Sequence, residues 1–179
     1  RGTIQTSVGA RNNLDARILT SVPHEKQPVS KTSRFYKGKH LRSNLNISSS
    51  VISFPFTESI HRIASKFEHE HTKGKTVFLF SSVSEAEGKS TLAANTALSL
   101  AEKKSKVLFI DLDLRRPVQN QLLGLTVAKD HELGELLASE TTAGDILSAV
   151  ITDPGTGLST LLSTKSYADM IDLISSPIL

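Results

Sequence analysis

Val77-Phe-Leu-Phe-Ser-Ser-Val-Ser-Glu-Ala-Glu-Gly-Lys-Ser-Thr91 decides how this 179-residue chain is read. An apolar run, 77–80, leads into a polar loop. A helix-forming run, Leu92-Ala-Ala-Asn-Thr-Ala-Leu-Ser-Leu-Ala101, leads out of it. A Gly-Lys-Ser therefore stands where a strand becomes a helix. There the free backbone N–H groups and the helix dipole favour a polyphosphate. In that setting Lys89 reaches toward β- and γ-phosphates and the Ser90 hydroxyl toward Mg²⁺. The complete pattern is Gly, four residues, then Gly-Lys-[Ser/Thr]. Here Val83 holds the first position, so the match is partial, and a bare Gly-Lys-Ser also occurs at ordinary strand-to-helix turns.

What lies downstream decides between those readings. A second apolar run, Val107-Leu-Phe-Ile-Asp111, completes a βαβ frame. It ends in Asp111-Leu-Asp113-Leu-Arg115-Arg116-Pro117, with two carboxylates at the C-terminal end of the expected strand. Ligands of open α/β sheets bind at that edge. Beside a phosphate loop, these carboxylates can hold the water shell of a metal or accept a hydroxyl proton. Arg115 and Arg116 can neutralise phosphate or pair with neighbouring acids. Without the loop, the same residues read as a solvated strand end.

Together the two motifs resemble the bacterial tyrosine kinases of capsule and exopolysaccharide synthesis, in which the second is called Walker A′. The pattern is Ser81-Ser82-x-x-x-x-Glu87-Gly88-Lys89-Ser90-Thr91, then Asp111-x-Asp113-x-Arg115-Arg116-Pro117. Ala16-Arg-Ile-Leu-Thr-Ser-Val-Pro23 is similar to the short strand and Pro that open the kinase module in fused members. Gly157-Leu-Ser-Thr-Leu-Leu162 and 168–176 are similar to the strand and helix before Walker B. The likeness is strongest over 76–117 and weakest over 24–54.

The resemblance implies an α/β, Rossmann-like P-loop NTPase fold with a mostly parallel sheet flanked by helices, incomplete at the C-terminus. It implies ATP and Mg²⁺ as cofactors and phosphorylation of tyrosines, the protein's own included. It implies work beside a membrane co-polymerase, on the same or a partner chain, at the cytoplasmic face of the bacterial inner membrane. By position, Lys89, Asp111 and Asp113 are the catalytic residues, with Asp111 the carboxylate that takes the proton. Glu85, Ala86, Glu87, Gly88, Lys89, Ser90, Thr91 and Arg115 bind nucleotide, and Ser90 and Asp113 serve the metal.

Four departures accompany this likeness. Glu85-Ala86 replaces the usual Pro-Gly. Ala restricts the backbone where Gly adopts φ > 0 freely, and Glu85 sets a negative charge near a polyanion. An apolar Walker B strand ending in Asp is not found before Leu179. The C-terminal tyrosine cluster is not found either; the tyrosines are Tyr36 and Tyr167. The oligomerisation helix, Glu-x-x-Arg-x-x-Arg in the family, reads Glu58-Ser-Ile-His61-Arg62-Ile-Ala64, which degrades the ring interface of a homo-oligomer. These departures also suit a degenerate nucleotide-binding scaffold that binds a partner and transfers no phosphate. A partitioning-type ATPase is disfavoured, because its signature Lys five residues before the loop Lys is Ser84 here.

Composition sets the remaining bounds. The chain opens on Arg1 and its one Met is Met170, which marks it as a piece of a longer or processed product. It has no Cys, so neither a disulfide framework nor a thiolate metal site is available. No apolar run approaches the length of about 18 residues that a transmembrane helix needs. Residues 1–50 hold nine Lys/Arg and two Asp/Glu, a formal +7; the remainder carries −4, giving the overall +3. The basic focus, Lys31-Thr-Ser-Arg34-Phe-Tyr-Lys37-Gly-Lys39-His-Leu-Arg42, suits a solvated linker, an anionic membrane surface or, least, nucleic acid. No nucleic-acid partner is expected.

The chain divides into a basic N-terminal segment, 1–54, with a short strand near 17–22, and a P-loop domain over 55–179. Within the domain, Thr57 is the expected N-cap of an amphipathic helix to about His71. Strands are expected at 76–81, 106–111 and 158–162. Helices are expected at 90–103, from Pro117 to Leu123, at 133–137, at 145–150 and at 166–175. His61, His69 and His71 lack the spacing of a zinc site and read as exposed histidines.

Overall fold

A computed structural model describes residues 18–25, 46–49, 52–139 and 141–167. The basic focus at 31–42 and residues 168–175 of the last expected helix lie outside the described residues. Residues 18–25 carry no regular element. No helix among the described residues is long and apolar enough to cross a membrane.

Helix α1 spans Phe54–His71. Its N-cap is Ser53, not Thr57: the Ser53 side chain accepts from the Phe56 N–H, and Pro55 presets the first turn. Glu25 fixes this start, accepting from the Ser53 N–H at 3.0 Å and hydroxyl at 2.7 Å. The apolar face buries Phe56, Ile60, Ile63 and Ala64, with Leu92 of the next helix against it.

Helix α2, Lys89–Glu102, is buried on nearly every side. Its small residues, among them Ala93, Ala94, Ala97, Ser99 and Ala101, let α1 approach on one side and the sheet on the other. Ser99 also meets His61 Nδ1 at 2.8 Å across the α1–α2 contact, so His61 serves packing. The expected exposed role for this histidine is thereby corrected.

Strand β1 is Leu108–Ile110. Short helices α3, Gln119–Leu123, and α4, Leu133–Leu137, follow. Helix α5, Ala143–Ser148, carries a Thr142–Asp145 capping box. Strands β2, Ile151–Thr152, and β3, Ser159–Leu161, close the described fold. The sheet has the order β1-β3-β2 and is mixed. β1 and β3 pair in parallel, Phe109 opposite Thr160, whereas β2 and β3 form an antiparallel hairpin. One cluster, Ala97, Leu98, Ala101 and Leu158, joins α2 to the sheet. Another, Leu114, Leu133, Leu137, Ala149 and Leu161, packs α4 and α5 on it. Buried Glu132 ties the segment after β3 to α4, accepting from the backbone N–H groups of Thr164 and Lys165.

Residues 76–81 do not form the expected strand among the described residues. They still alternate as a strand does. Phe78 and Phe80 face Phe67 of α1, with ring centroids 4.3 Å and 5.6 Å away. Val77 and Leu79 are 88% and 87% exposed. Side-chain alternation is local, but a strand also needs a hydrogen-bonding neighbour. The described residues supply none here, and they leave β1 at a sheet edge with Leu108 and Ile110 exposed.

Candidate functional site

The loop over 82–88 ends at Gly88, which sits at φ +89° and hands the chain into α2. That left-handed turn suits glycine. Gly88 makes no side-chain cap, and the first helical bond runs from the Leu92 N–H to its carbonyl. The N–H groups of Lys89, Ser90 and Thr91 thus start a fourteen-residue helix without an intrahelical acceptor. Upstream, Glu87 turns the loop on itself, its Oε2 accepting from the N–H groups of Val83 and Ser84, each at 3.1 Å.

Ala86 takes φ +61°, a conformation that costs a residue bearing Cβ roughly 1–2 kcal/mol. An Ala86→Gly variant is therefore expected to be about 1 kcal/mol more stable, read as a higher urea midpoint with an unchanged slope. A loss of stability would show that the left-handed turn at this position carries no strain.

The second motif leaves β1 directly. The Asp111 N–H extends the parallel ladder to the Leu161 carbonyl at 3.1 Å. Asp111 is 5% exposed. Its Oδ1 accepts from the Asp113 N–H at 3.1 Å, while its Oδ2 is buried without a hydrogen-bond partner. Burial pushes the Asp111 carboxyl above its ordinary range; backbone donors from Asp113, Gln119 and Val118 only partly oppose this, and the Asp113 charge adds to it.

Asp113 joins the motifs. Its Oδ2 accepts from Lys89 Nζ at 2.7 Å, and the two side chains are 33% and 29% exposed. Burial works to raise the Asp113 carboxyl, but the Lys89 hydrogen bond and charge, with help from Arg116, hold it below the ordinary range. Arg116 reaches back to the loop, its guanidinium paired with Glu85. Arg115 does not take that part: its carbonyl accepts from the Ser166 hydroxyl at 2.7 Å, and its side chain is on the surface.

Gln119 was not legible as a site residue. It is 4% exposed, and its Nε2 donates to the Ser90 carbonyl at 3.2 Å, fastening α3 to the start of α2. Its Oε1 and the Asn120 Oδ1 are buried without hydrogen-bond partners, as is the Asp111 Oδ2. Only closeness to Pro117 could have drawn attention to it.

A free helix N-terminus, a lysine, a hydroxyl and two carboxylates, one with a buried oxygen whose nearby backbone N–H groups fall short of a hydrogen bond, fit a polyphosphate with a divalent cation. Such an oxygen is costly unless a cation or water partners it, and Mg²⁺ is commonly held by one or two carboxylates plus phosphates. No cluster of three or more His, Asp or Glu able to hold a metal alone occurs among the described residues. A cleft of about 660 Å³ lies at the other end of β1, lined by residues such as Lys104, Lys106, Leu108 and Leu147. It shares no residue with the loop, and the donor set, not concavity, identifies the site.

No family model and no curated protein matches the chain. Solved structures do. The chimerical protein CapA2B2 is 25% identical with a TM-score of 0.68, over 96% of this chain and 66% of that one. The BceF tyrosine kinase domain is 25% identical with a TM-score of 0.57, over 69% and 48%. The VpsO kinase domain is 29% identical with a TM-score of 0.53, over 66% and 56%. The chain thus spans about half to two thirds of the length of these structures.

Proposed function

Because the chain holds a domain like those of the bacterial tyrosine kinases, we propose that it belongs to an ATP-dependent protein-tyrosine kinase module. The Lys89–Asp113 contact carries this reading. It brings residues 24 positions apart to 2.7 Å and sets both motifs beside buried Asp111. In the proposed complex, the α2 N-terminus and Lys89 receive the phosphates of ATP, and Ser90 and Asp113 hold Mg²⁺. The metal, when bound, neutralises charge on the transferring group. Asp111 orients the incoming tyrosine hydroxyl and accepts its proton, a task that its upward-shifted carboxyl suits.

Tyr167 is a poor acceptor in this arrangement. Its hydroxyl is buried without a partner, and burial, with the charges of Glu132 and Glu135, pushes it up to about 12. The acceptor is then another tyrosine of the protein or of a partner. The parent protein is proposed to act in capsular or exopolysaccharide synthesis with a membrane co-polymerase, at the cytoplasmic face of the membrane. Exposed Val77 and Leu79, with the edge of β1 that is unpaired among the described residues, support completion of the sheet by a further apolar strand.

A second reading, a nucleotide-binding scaffold without transfer, is favoured by the positive φ of Ala86 and by Glu85 at the loop. One experiment separates the two. The intact protein is titrated with Mg²⁺·ATP and then assayed for phosphotyrosine. Binding with phosphotyrosine supports the kinase, and binding without it supports the scaffold. Absence of binding removes the nucleotide site from both.

A further inference from the structure

Two ion pairs cross between the loop and the acidic motif in opposite senses. Lys89 of the loop donates to Asp113 of the motif, and Arg116 of the motif donates to Glu85 of the loop. Each of these two cations is matched by one carboxylate, so the four groups carry no net charge together. We infer that Glu85 is a built-in competitor for the terminal phosphate, holding Arg116 until a triphosphate displaces it. This rests on the nucleotide reading above.

The two pairs are not equivalent. The Lys89–Asp113 pair is half-buried, and when Lys89 turns to a phosphate, a divalent cation can replace it on Asp113. The Arg116–Glu85 pair lies on the outer lip, with side chains 70% and 79% exposed. Arg116 is the ion-pair partner that the described residues give Glu85. The Arg116 backbone N–H is held by Asp113, at 3.3 Å from Oδ1 and 3.2 Å from the carbonyl, so its root is fixed while its guanidinium swings. Arginine prefers bidentate oxyanions, and a terminal phosphate offers the same geometry as a carboxylate with more charge. Arg116 is rooted on Asp113, the partner of the lysine that contacts β- and γ-phosphates, so the terminal phosphate, absent from a diphosphate, is the competitor assigned to Glu85.

An exposed ion pair is weak, so the expected effect is modest. Glu85→Gln should tighten Mg²⁺·ATP about fivefold and Mg²⁺·ADP by less than about twofold. Arg116→Gln should cost little in the wild-type background, where Arg116 is occupied, and about fivefold in the Glu85→Gln background, where it is free. The closing experiment measures calorimetric Kd values for both nucleotides on the wild type, both single variants and the double variant. It also records the Arg116 Nε–H resonance without nucleotide, which should move on Glu85→Gln. With ATP bound by the wild type, an unmoved resonance, equal gains for ATP and ADP, or the same Arg116 cost in both backgrounds overturns the inference alone. No binding by any of the four proteins overturns the nucleotide reading and the inference with it.

Discussion

Lys89→Ala is expected to weaken Mg²⁺·ATP binding by about 100-fold or more, because a charge-assisted contact to phosphate is lost inside a partly enclosed site. Lys89 is the cation nearest the helix N-terminus, and its side chain is drawn inward by Asp113 at 2.7 Å. Removing it also leaves Asp113 without its main counter-charge. The pair is about a third exposed, so screening keeps the stability loss within about 1 kcal/mol. Affinity and stability should therefore separate. Calorimetry should report the collapse in affinity while the urea midpoint stays close to that of the wild type. Equal affinity in the two proteins would remove the loop as a nucleotide site.

Asp111→Asn is expected to lower phosphotyrosine formation by about 10²- to 10⁴-fold, the range of a lost general base. Binding of Mg²⁺·ATP should change far less, since the Asp113 N–H still finds an acceptor at Oδ1. The same variant tests the burial of this carboxylate through pH. Asp111 titrates above its ordinary 3.8 in the folded protein, so the unfolded chain releases its proton first as pH rises. Wild-type stability should consequently fall, relative to the variant, from pH 3.8 up through the raised value, and that deficit should persist at neutral pH. Below pH 3.8 the difference should lose its pH dependence. Paired urea melts across this range check it. A wild type that gains on the variant with rising pH would place Asp111 in a solvated or cation-paired setting. Phosphotyrosine that survives the substitution would remove it as the base.

Much of the chain was legible because its signals are local. Periodic Ile60, Ile63 and Phe67 gave α1, and the run after Gly88 gave α2. Apolar runs gave β1 and β3 close to their observed positions. α1 starts four residues before the cap that Thr57 suggests, since Ser53 competes as a cap and Pro55 favours the earlier turn. Strand β2 went unread: two residues, Ile151 and Thr152, have no periodicity and exist as a strand only by pairing with β3. Residues 76–81 have the alternation of a strand but no ladder among the described residues, because pairing depends on a neighbour and not on the segment.

The sequence by itself determined the chemical kinds at the site: a Gly-Lys-Ser at a helix start and two carboxylates at a strand end. Those follow from motif spacing and residue type. Tertiary structure decided which groups meet. It set Lys89 on Asp113, gave Arg116 and not Arg115 to Glu85, buried one Asp111 oxygen without a hydrogen bond, and recruited Gln119 to the Ser90 carbonyl. These partners lie 24 to 31 residues apart in sequence. Their meeting depends on α2 packing between α1 and the sheet, which no local propensity encodes.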